Sequence, residues 1–163
     1  MNPFTIMHVG SIYSKRIGVA TNFLLGLQEF LEEIEPLLAS MIHVYFIGDT
    51  NKAIKNLVEQ NILLKYHVHF KPRVSHEKAI SSMWQASALL LLIAPEMRRW
   101  GQTGKLFEYL AVSKERGTPI LALAPKESLA SEIIAKTRTG FTVDADDKEG
   151  IKKMLIGWLK NDG

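Results

Sequence analysis

Two spacings of hydrophobic residues alternate along the chain. Short, mainly apolar runs are typical of buried strands, and between them apolar residues recur every three to four positions, as in amphipathic helices. The apolar runs predict strands at 4–9, 42–47, 66–70, 88–93, 119–123 and 141–143. The intervening segments predict helices at 19–38, 51–60, 105–116 and 150–160, one opened by Ser75, and one opened by Glu127 or Ser128.

The run at 88–93, ALLLLI, is apolar at every position. A strand of this kind is covered on both faces, which is typical of the central strand of a parallel sheet. Six strands alternating with six helices predict an α/β fold, with a three-layer, Rossmann-like, doubly wound parallel sheet. A length of 163 residues suits one domain, 1–163, and no linker or repeat interrupts it.

The composition excludes several classes of protein and site. The chain has no cysteine, so disulfides and thiolate chemistry are absent. A net charge of +3 from scattered lysines and arginines predicts weak attraction to anions, and we expect no nucleic-acid partner. No apolar run approaches the roughly 20 residues that span a bilayer. We expect no metal site, because no carboxylate or third histidine lies near His67 and His69 in the sequence.

Several aromatic and histidine residues have a structural interpretation. Trp84 and Trp158 fall on apolar helical stripes and are predicted to lie in the core. His67 and His69 alternate along a predicted strand and are expected to share one face of it. We interpret His8 and His43 as ordinary strand residues, and His76 as part of a helix start.

The segment TGKLFEYL (103–110) opens a predicted helix just after the central strand. Ligands of open parallel sheets bind at the carboxyl ends of the strands, and helix N-termini attract anions there. Lys105 adds a positive charge, and the Glu108 carboxylate can accept two hydrogen bonds from paired ribose hydroxyls. In the alternative interpretation Gly104 eases a turn, Glu108 is solvated and Lys105 forms a surface ion pair. Arg16 is equally open as a solvated cation or a phosphate ligand.

The segment TGKLFEYLAVSKERGTPILAL (103–123) resembles the donor-site signature of retaining GT-B glycosyltransferases of the group 1 type. That signature has the form GK-L/F-x-E-Y-L/M-A, followed by G-x-P-I/V-L-A. The likeness extends over nearly the whole chain, in the order of the family's carboxyl-terminal domain. The other matching segments are HVGSIYSKR, VYFIGD, VHFKPRVSHEKAISSMWQASALLLL and SEIIAKTRTGFTV.

The resemblance implies a site for a nucleotide-diphosphate sugar. It implies that Glu108 holds the ribose and that Arg16 and Lys105 act catalytically, by stabilising the departing diphosphate without a metal. It implies no cofactor besides this donor substrate, whose base, in UDP or GDP, stays open. The implied nucleotide-sugar-binding residues are Gly10, Ser11, Arg16, Arg73, Val74, Thr103, Gly104, Lys105, Leu106 and Glu108.

The chain departs from the family pattern at two positions. Ser11 stands where the family often has arginine, and Trp100 where it often has a glutamate close to the donor sugar. We leave open whether Trp100 stacks on the base or sugar, touches a membrane or covers a domain interface.

The resemblance implies the donor-binding half of a bacterial hexosyltransferase of polysaccharide or glycolipid synthesis in the cell envelope. An amino-terminal acceptor domain is expected to be missing, so the isolated chain should be inactive. We expect a cytoplasmic location and leave peripheral membrane contact of the full-length protein open. The alternatives are a stand-alone nucleotide- or phosphosugar-binding module, and half of a nucleotide-sugar epimerase on the same fold.

Overall fold

The computed structural model describes residues 2–97 and 103–162, with only the backbone of residues 97, 103, 104 and 162. A six-stranded, all-parallel sheet forms its centre, with strand order β3-β2-β1-β4-β5-β6. The strands are β1 (Phe4–Val9), β2 (Ile42–Ile47), β3 (Val68–Lys71), β4 (Ala88–Leu92), β5 (Ile120–Leu123) and β6 (Gly140–Val143). The helices are α1 (Arg16–Glu33), α2 (Pro36–Ala39), α3 (Lys52–Glu59), α4 (Ile62–His67), α5 (His76–Gln85), α6 (Thr103–Arg116), α7 (Leu129–Thr137) and α8 (Lys148–Asp162), with a 3-10 turn at Pro95–Met97. The predicted doubly wound, Rossmann-like α/β fold is confirmed.

Both faces of the sheet carry a hydrophobic core. Leu90 and Leu92 pack on the side of α1 and α8, while Leu89 and Leu91 pack on the side of α6. Successive strand side chains point to opposite faces, so a strand that is apolar throughout contributes to two cores. The central position inferred from ALLLLI is therefore confirmed.

The single helix predicted for 19–38 is wrong, because the chain forms two helices here. α1 begins at Arg16 and ends at Glu33, and Ile34 is extended, with ψ of 165°. The residue before a proline avoids the helical conformation, and Glu35 precedes Pro36. The Glu35 carboxylate then caps α2 by accepting hydrogen bonds from the backbone N–H groups of Leu37 and Leu38 at 3.2 and 3.1 Å.

The strand predicted at 66–70 begins later than expected. The Asn61 side chain accepts a hydrogen bond from Leu64 N at 3.0 Å and opens α4, which keeps the chain helical to His67. His67 therefore lies off the strand face of His69, and that prediction is wrong. The buried His67 Nδ1 donates to the Ile42 carbonyl at 2.7 Å, while His69 shares a hydrogen bond of 3.0 Å with His43.

The two tryptophans predicted to lie in the core behave differently. Trp158 is 1% exposed and meets Phe4 edge to face. Trp84 is 38% exposed, with the Arg116 guanidinium 5.6 Å from its ring centre, so its core prediction is wrong. Met83 occupies the core position on α5, and the next residue lies about 100° further around the helix.

None of the helices in the described ranges is long and apolar enough to cross a membrane.

Candidate functional site

The strand order reverses between β1 and β4, where ligands of doubly wound sheets bind. Gly10 follows β1 with φ of +134°, and Gly48 follows β2 with φ of +132°. A Cβ on Gly48 would lie 2.7 Å from the Gly10 carbonyl oxygen, so only glycine fits this approach. The two loops pack backbone against backbone and leave the carboxyl edge of the sheet open.

Two adjoining cavities lie at this carboxyl edge, and we name them after the groups of the nucleotide that the family resemblance predicts there. The phosphate-side cavity, of about 180 Å³, is lined by His8, Val9, Gly10, Ser11, Arg16, Leu91, Leu92 and Lys105. The base-side cavity, of about 460 Å³, is lined by Val9, Gly10, Ser11, Tyr13, Ile47, Gly48, Asp49, Arg73, Val74, His76, Ala79 and Lys105. The glycine loop and Lys105 border both of them.

Arg16 is held over the glycine loop as the first residue of α1. Its Nη1 donates a long hydrogen bond of 3.4 Å to the Ser11 carbonyl. Burial lowers the pKa of Arg16 from its ordinary value, yet a guanidinium stays charged at neutral pH. Arg16 is thus a half-buried cation at the phosphate-side cavity.

Lys105 and Glu108 form an ion pair one turn apart on α6. The Lys105 Nζ lies 3.2 Å from Glu108 Oε2, and the two side chains are only 28% and 29% exposed. The other carboxylate oxygen, Oε1, lies 3.8 Å from His76 Nδ1. Lys105 therefore makes the ion pair of the alternative interpretation and also lines both cavities, while Glu108 sits beside the base-side cavity.

Tyr109 anchors α6 to the two strands at the switch point. Its hydroxyl accepts a hydrogen bond from Val9 N at 3.1 Å and donates one to the Leu90 carbonyl at 3.0 Å. Burial raises the pKa of Tyr109, so the phenol stays neutral. This anchor sets the position of Lys105 and Glu108. Sequence reasoning assigned Tyr109 no role, although it lies within the EYL motif.

His8 is a second residue that sequence reasoning missed. It is 5% exposed and lines the phosphate-side cavity. Burial, then the charges of Arg16 and Lys105, lower the pKa of His8 to about 3. The available signal was its place two residues before Gly10, at the carboxyl end of β1.

The predicted site residues come together in part. Gly10, Ser11, Arg16, Arg73, Val74 and Lys105 line the two cavities. Leu106 is 1% exposed, so its side chain belongs to the core and only its backbone can serve the site. Thr103 and Gly104 begin α6. Trp100 lies outside the described residues.

A larger cavity of about 730 Å³ lies at the opposite, amino edge of the sheet. Its lining is Leu110, Ser113, Lys114, Gly117, Pro119, Thr137, Arg138, Thr139, Gly140, Phe141, Trp158 and Asn161. We assign the site to the carboxyl edge despite its smaller cavities, because helix N-termini and the switch point meet there. Within the described ranges, no three His, Asp or Glu side chains are grouped to hold a metal ion.

Solved structures share this fold. The N-terminal domain of Candida albicans trehalose-6-phosphate phosphatase has a TM-score of 0.72 and 16% identity, over 99% of this chain and 36% of that one. WaaG, a glycosyltransferase involved in lipopolysaccharide biosynthesis, has a TM-score of 0.68 and 18% identity, over 98% of this chain and 38% of that one. The E. coli trehalose-6-phosphate protein bound with UDP-2-fluoro glucose has a TM-score of 0.68 and 15% identity, over 97% of this chain and 36% of that one. The chain thus spans well under half the length of these structures.

A comparison with curated proteins finds no match. The family model of glycosyl transferases group 1 matches residues 4–161, which is nearly the whole chain. The sheet and helices described above match GT-B glycosyltransferase domains such as that of WaaG. The chain belongs to the glycosyl transferases group 1 family and has the Rossmann-like fold described above.

Proposed function

We propose that this chain is the donor-binding part of a glycosyltransferase and holds a nucleotide-diphosphate sugar across the two carboxyl-edge cavities. The observation that carries the proposal is the pair of cations, Arg16 and Lys105, lining one cavity at the β1/β4 switch point. Two half-buried cations above a glycine loop are suited to a diphosphate, because charge-assisted hydrogen bonds to phosphate are strong.

The ribose and base follow from the diphosphate position. With the phosphates between Arg16 and Lys105, the ribose reaches Glu108, whose carboxylate can accept hydrogen bonds from both hydroxyls. The base then enters the base-side cavity towards Arg73 and Val74. UDP-2-fluoro glucose bound to one of the similar structures supports a nucleotide-sugar ligand for this fold. The choice between UDP and GDP stays open, and the titration described below decides it.

Arg16 and Lys105 would stabilise the departing diphosphate during transfer. Negative charge grows on the leaving group as the sugar bond breaks, and preorganised cations lower the energy of that state. Ligand binding must also rearrange the Lys105–Glu108 ion pair, since the phosphate and the ribose each take one partner. Retention at the anomeric carbon, as the family resemblance implies, stays a prediction.

The acceptor would be bound by a second domain, and this chain alone would bind the donor without transferring the sugar. The solved structures are more than twice as long as this chain, which supports such a partner domain. A role in polysaccharide or glycolipid synthesis is in keeping with the involvement of WaaG in lipopolysaccharide biosynthesis. A cytoplasmic location stays a prediction, and peripheral membrane contact of the full-length protein stays open.

Calorimetric titration of the chain with UDP and GDP tests the proposal. We expect one of the two diphosphates to bind, and Glu108→Gln to weaken binding roughly tenfold or more, since a hydrogen-bonded charge contributes about 1.5–3 kcal/mol. Glu115→Gln is the matched control, because Glu115 is exposed on the same helix, α6. Its affinity should equal that of the wild type.

Two results would overturn the proposal. The first is failure of both UDP and GDP to bind the wild-type chain at millimolar concentration. The second is an equal loss of affinity in Glu108→Gln and Glu115→Gln, which would place the nucleotide away from Glu108. A stand-alone binding module and an epimerase would share this donor site, so the complete protein must also be assayed for a new glycosidic bond with an added acceptor.

A further inference from the structure

His8 lines the phosphate-side cavity together with Gly10 and Ser11 of the glycine loop. It belongs to β1, two residues before Gly10, and is 5% exposed. Arg16 and Lys105 line the same cavity from α1 and α6. A titratable ring thus stands where the proposed diphosphate meets its two cations.

The hydrogen bonding of His8 is incomplete. Its Nδ1 is buried and has no hydrogen-bond partner within 2–97 and 103–162. Three other histidines are paired: His67 of α4 bonds the Ile42 carbonyl, and His43 and His69 bond each other. A buried polar atom left without a partner costs about 1–3 kcal/mol, and such atoms are rare in folded proteins. His8 therefore has hydrogen-bonding capacity that the fold does not use.

The edge of the His8 ring faces the open space above Gly10. A Cβ built on Gly10 would lie 3.8 Å from His8 Cε1 and 3.8 Å from Lys105 Cε. Since Cε1 is bonded to both ring nitrogens, this space adjoins the polar edge of the His8 ring. Glycine leaves room at the point where His8, Lys105 and the loop backbone converge.

The charge state of His8 suits an anionic ligand. Its pKa is lowered to about 3, first by burial and then by Arg16 and Lys105, so the ring is neutral at neutral pH. A neutral imidazole carries one N–H donor. A bound diphosphate would counter the two cations, so we expect the pKa of His8 to rise on binding.

We propose that His8 is a further ligand of the donor diphosphate, with its imidazole donating one N–H hydrogen bond to a phosphate oxygen held between Arg16 and Lys105. The inference rests on the proposed function and adds to it a residue from β1. The diphosphate would then contact three side chains: His8 of β1, Arg16 of α1 and Lys105 of α6.

Histidine ring NMR tests the proposal in the wild-type chain. With histidine-labelled protein, the ring ¹⁵N and ¹³Cε1 signals of His8 are followed during titration with UDP, GDP and the two nucleosides. We expect the diphosphate that binds to shift the His8 signals and to raise its pKa, while its nucleoside leaves them unchanged. The signals of His69 serve as the internal control, because His69 lies at the β3 edge of the sheet.

Affinity measurements on variants give a second readout. His8→Phe should weaken binding of the diphosphate roughly tenfold, as expected for loss of one hydrogen bond to a charged group. His8→Gln, whose amide can donate, should regain part of that affinity, and His69→Phe should bind like the wild type. Nucleoside affinity should be the same in all four proteins.

The outcomes separate the two proposals. If a diphosphate binds but leaves the His8 signals unmoved, His8 is no ligand and the proposed function stands. If His8→Phe and His8→Gln lose affinity equally for the diphosphate and its nucleoside, the role of His8 is structural and the inference is wrong. If neither diphosphate binds the wild-type chain, the proposed function fails and the inference fails with it.

Discussion

The amino-edge cavity and the phosphate-side cavity are each lined by two cations, yet these cations differ in burial and in the backbone around them. The amino-edge cavity is the larger, at about 730 Å³, and includes Lys114 and Arg138, both exposed. At the carboxyl edge Arg16 and Lys105 are partly buried above a glycine loop. Cavity size therefore says little about where an anion would bind.

The direction of the helices explains this difference. In a parallel sheet, each connecting helix begins near the carboxyl edge and ends near the amino edge. Helix α6 begins beside the glycine loop, whereas α6, α7 and α8 end around the amino-edge cavity. Helix N-termini carry partial positive charge and C-termini partial negative charge, so the backbone favours anions at the carboxyl edge.

The largest expected effect comes from the buried histidine of the carboxyl edge. The folded-state pKa of His8 lies below its unfolded value, so its contribution to stability is complete above pH 6.5 and is lost as the pH falls. We predict a loss of about 3 kcal/mol between pH 6.5 and 4. Urea titrations at several pH values should therefore show a flatter pH dependence in His8→Gln.

His69→Gln is the control for that measurement. The pKa of His69 is lowered too, mainly by burial, but this ring is partly exposed. This variant should keep most of the wild-type slope. Equal slopes in the wild type and His8→Gln would contradict the account of His8.

Removal of the Tyr109 hydroxyl should affect both stability and the site. Tyr109→Phe leaves the buried Val9 N–H without its side-chain partner, at an expected cost of about 1–3 kcal/mol in the free energy of unfolding. It should also weaken nucleotide binding, because α6 loses its bridge to β1 and β4. Tyr66→Phe, at an exposed tyrosine, should change neither quantity. Unchanged binding in a destabilised Tyr109→Phe would limit its role to stability.

Charge removal at each edge tests the comparison directly. Lys105→Met should weaken diphosphate binding by about 1.5–3 kcal/mol, the typical contribution of a hydrogen bond to a charged group. Lys114→Met on the same helix removes an equal charge at the amino edge and should leave the affinity unchanged. Calorimetry on the two variants checks this. A larger loss of affinity in Lys114→Met than in Lys105→Met would indicate that the diphosphate binds in the amino-edge cavity.

A matched pair of glycine variants should give the smallest effect on affinity. Gly10→Ala and Gly117→Ala both put a side chain at positive φ, +134° and +73°, so each should destabilise the fold by about 1–3 kcal/mol. Only Gly10→Ala should also weaken diphosphate binding, by less than Lys105→Met does. Thermal unfolding and calorimetry together separate the two effects.

The strands were predictable from sequence to a greater extent than the helix starts. β1 and β2 have the predicted bounds, because their apolar runs are closed by Gly10 and Gly48. The start of β3 was misplaced, since Tyr66 favours strands and the Asn61 cap that opens α4 was not foreseen. Apolar periodicity reports burial well, but a single capping side chain decides where a short helix begins.

The candidate site was predictable in part. The helix start at 103–110 indicated Lys105 and Glu108, and the family resemblance added Gly10 and a phosphate-binding role for Arg16. The structure brings these four residues to one edge. The Tyr109 bridge joins residues 100 positions apart. The lowered pKa of His8 depends on its burial and on the charges of Arg16 and Lys105. Such long-range contacts leave no periodic pattern in a single sequence.

The central claim is that a nucleotide diphosphate binds at the carboxyl edge, between β1 and β4. Backbone amide NMR of the wild-type chain during titration with UDP and GDP tests it most directly. The account predicts that the largest shifts fall on Gly10, Ser11, Arg16 and Lys105. Shifts concentrated on Gly117, Thr139 and Gly140, at the amino-edge cavity, would contradict it.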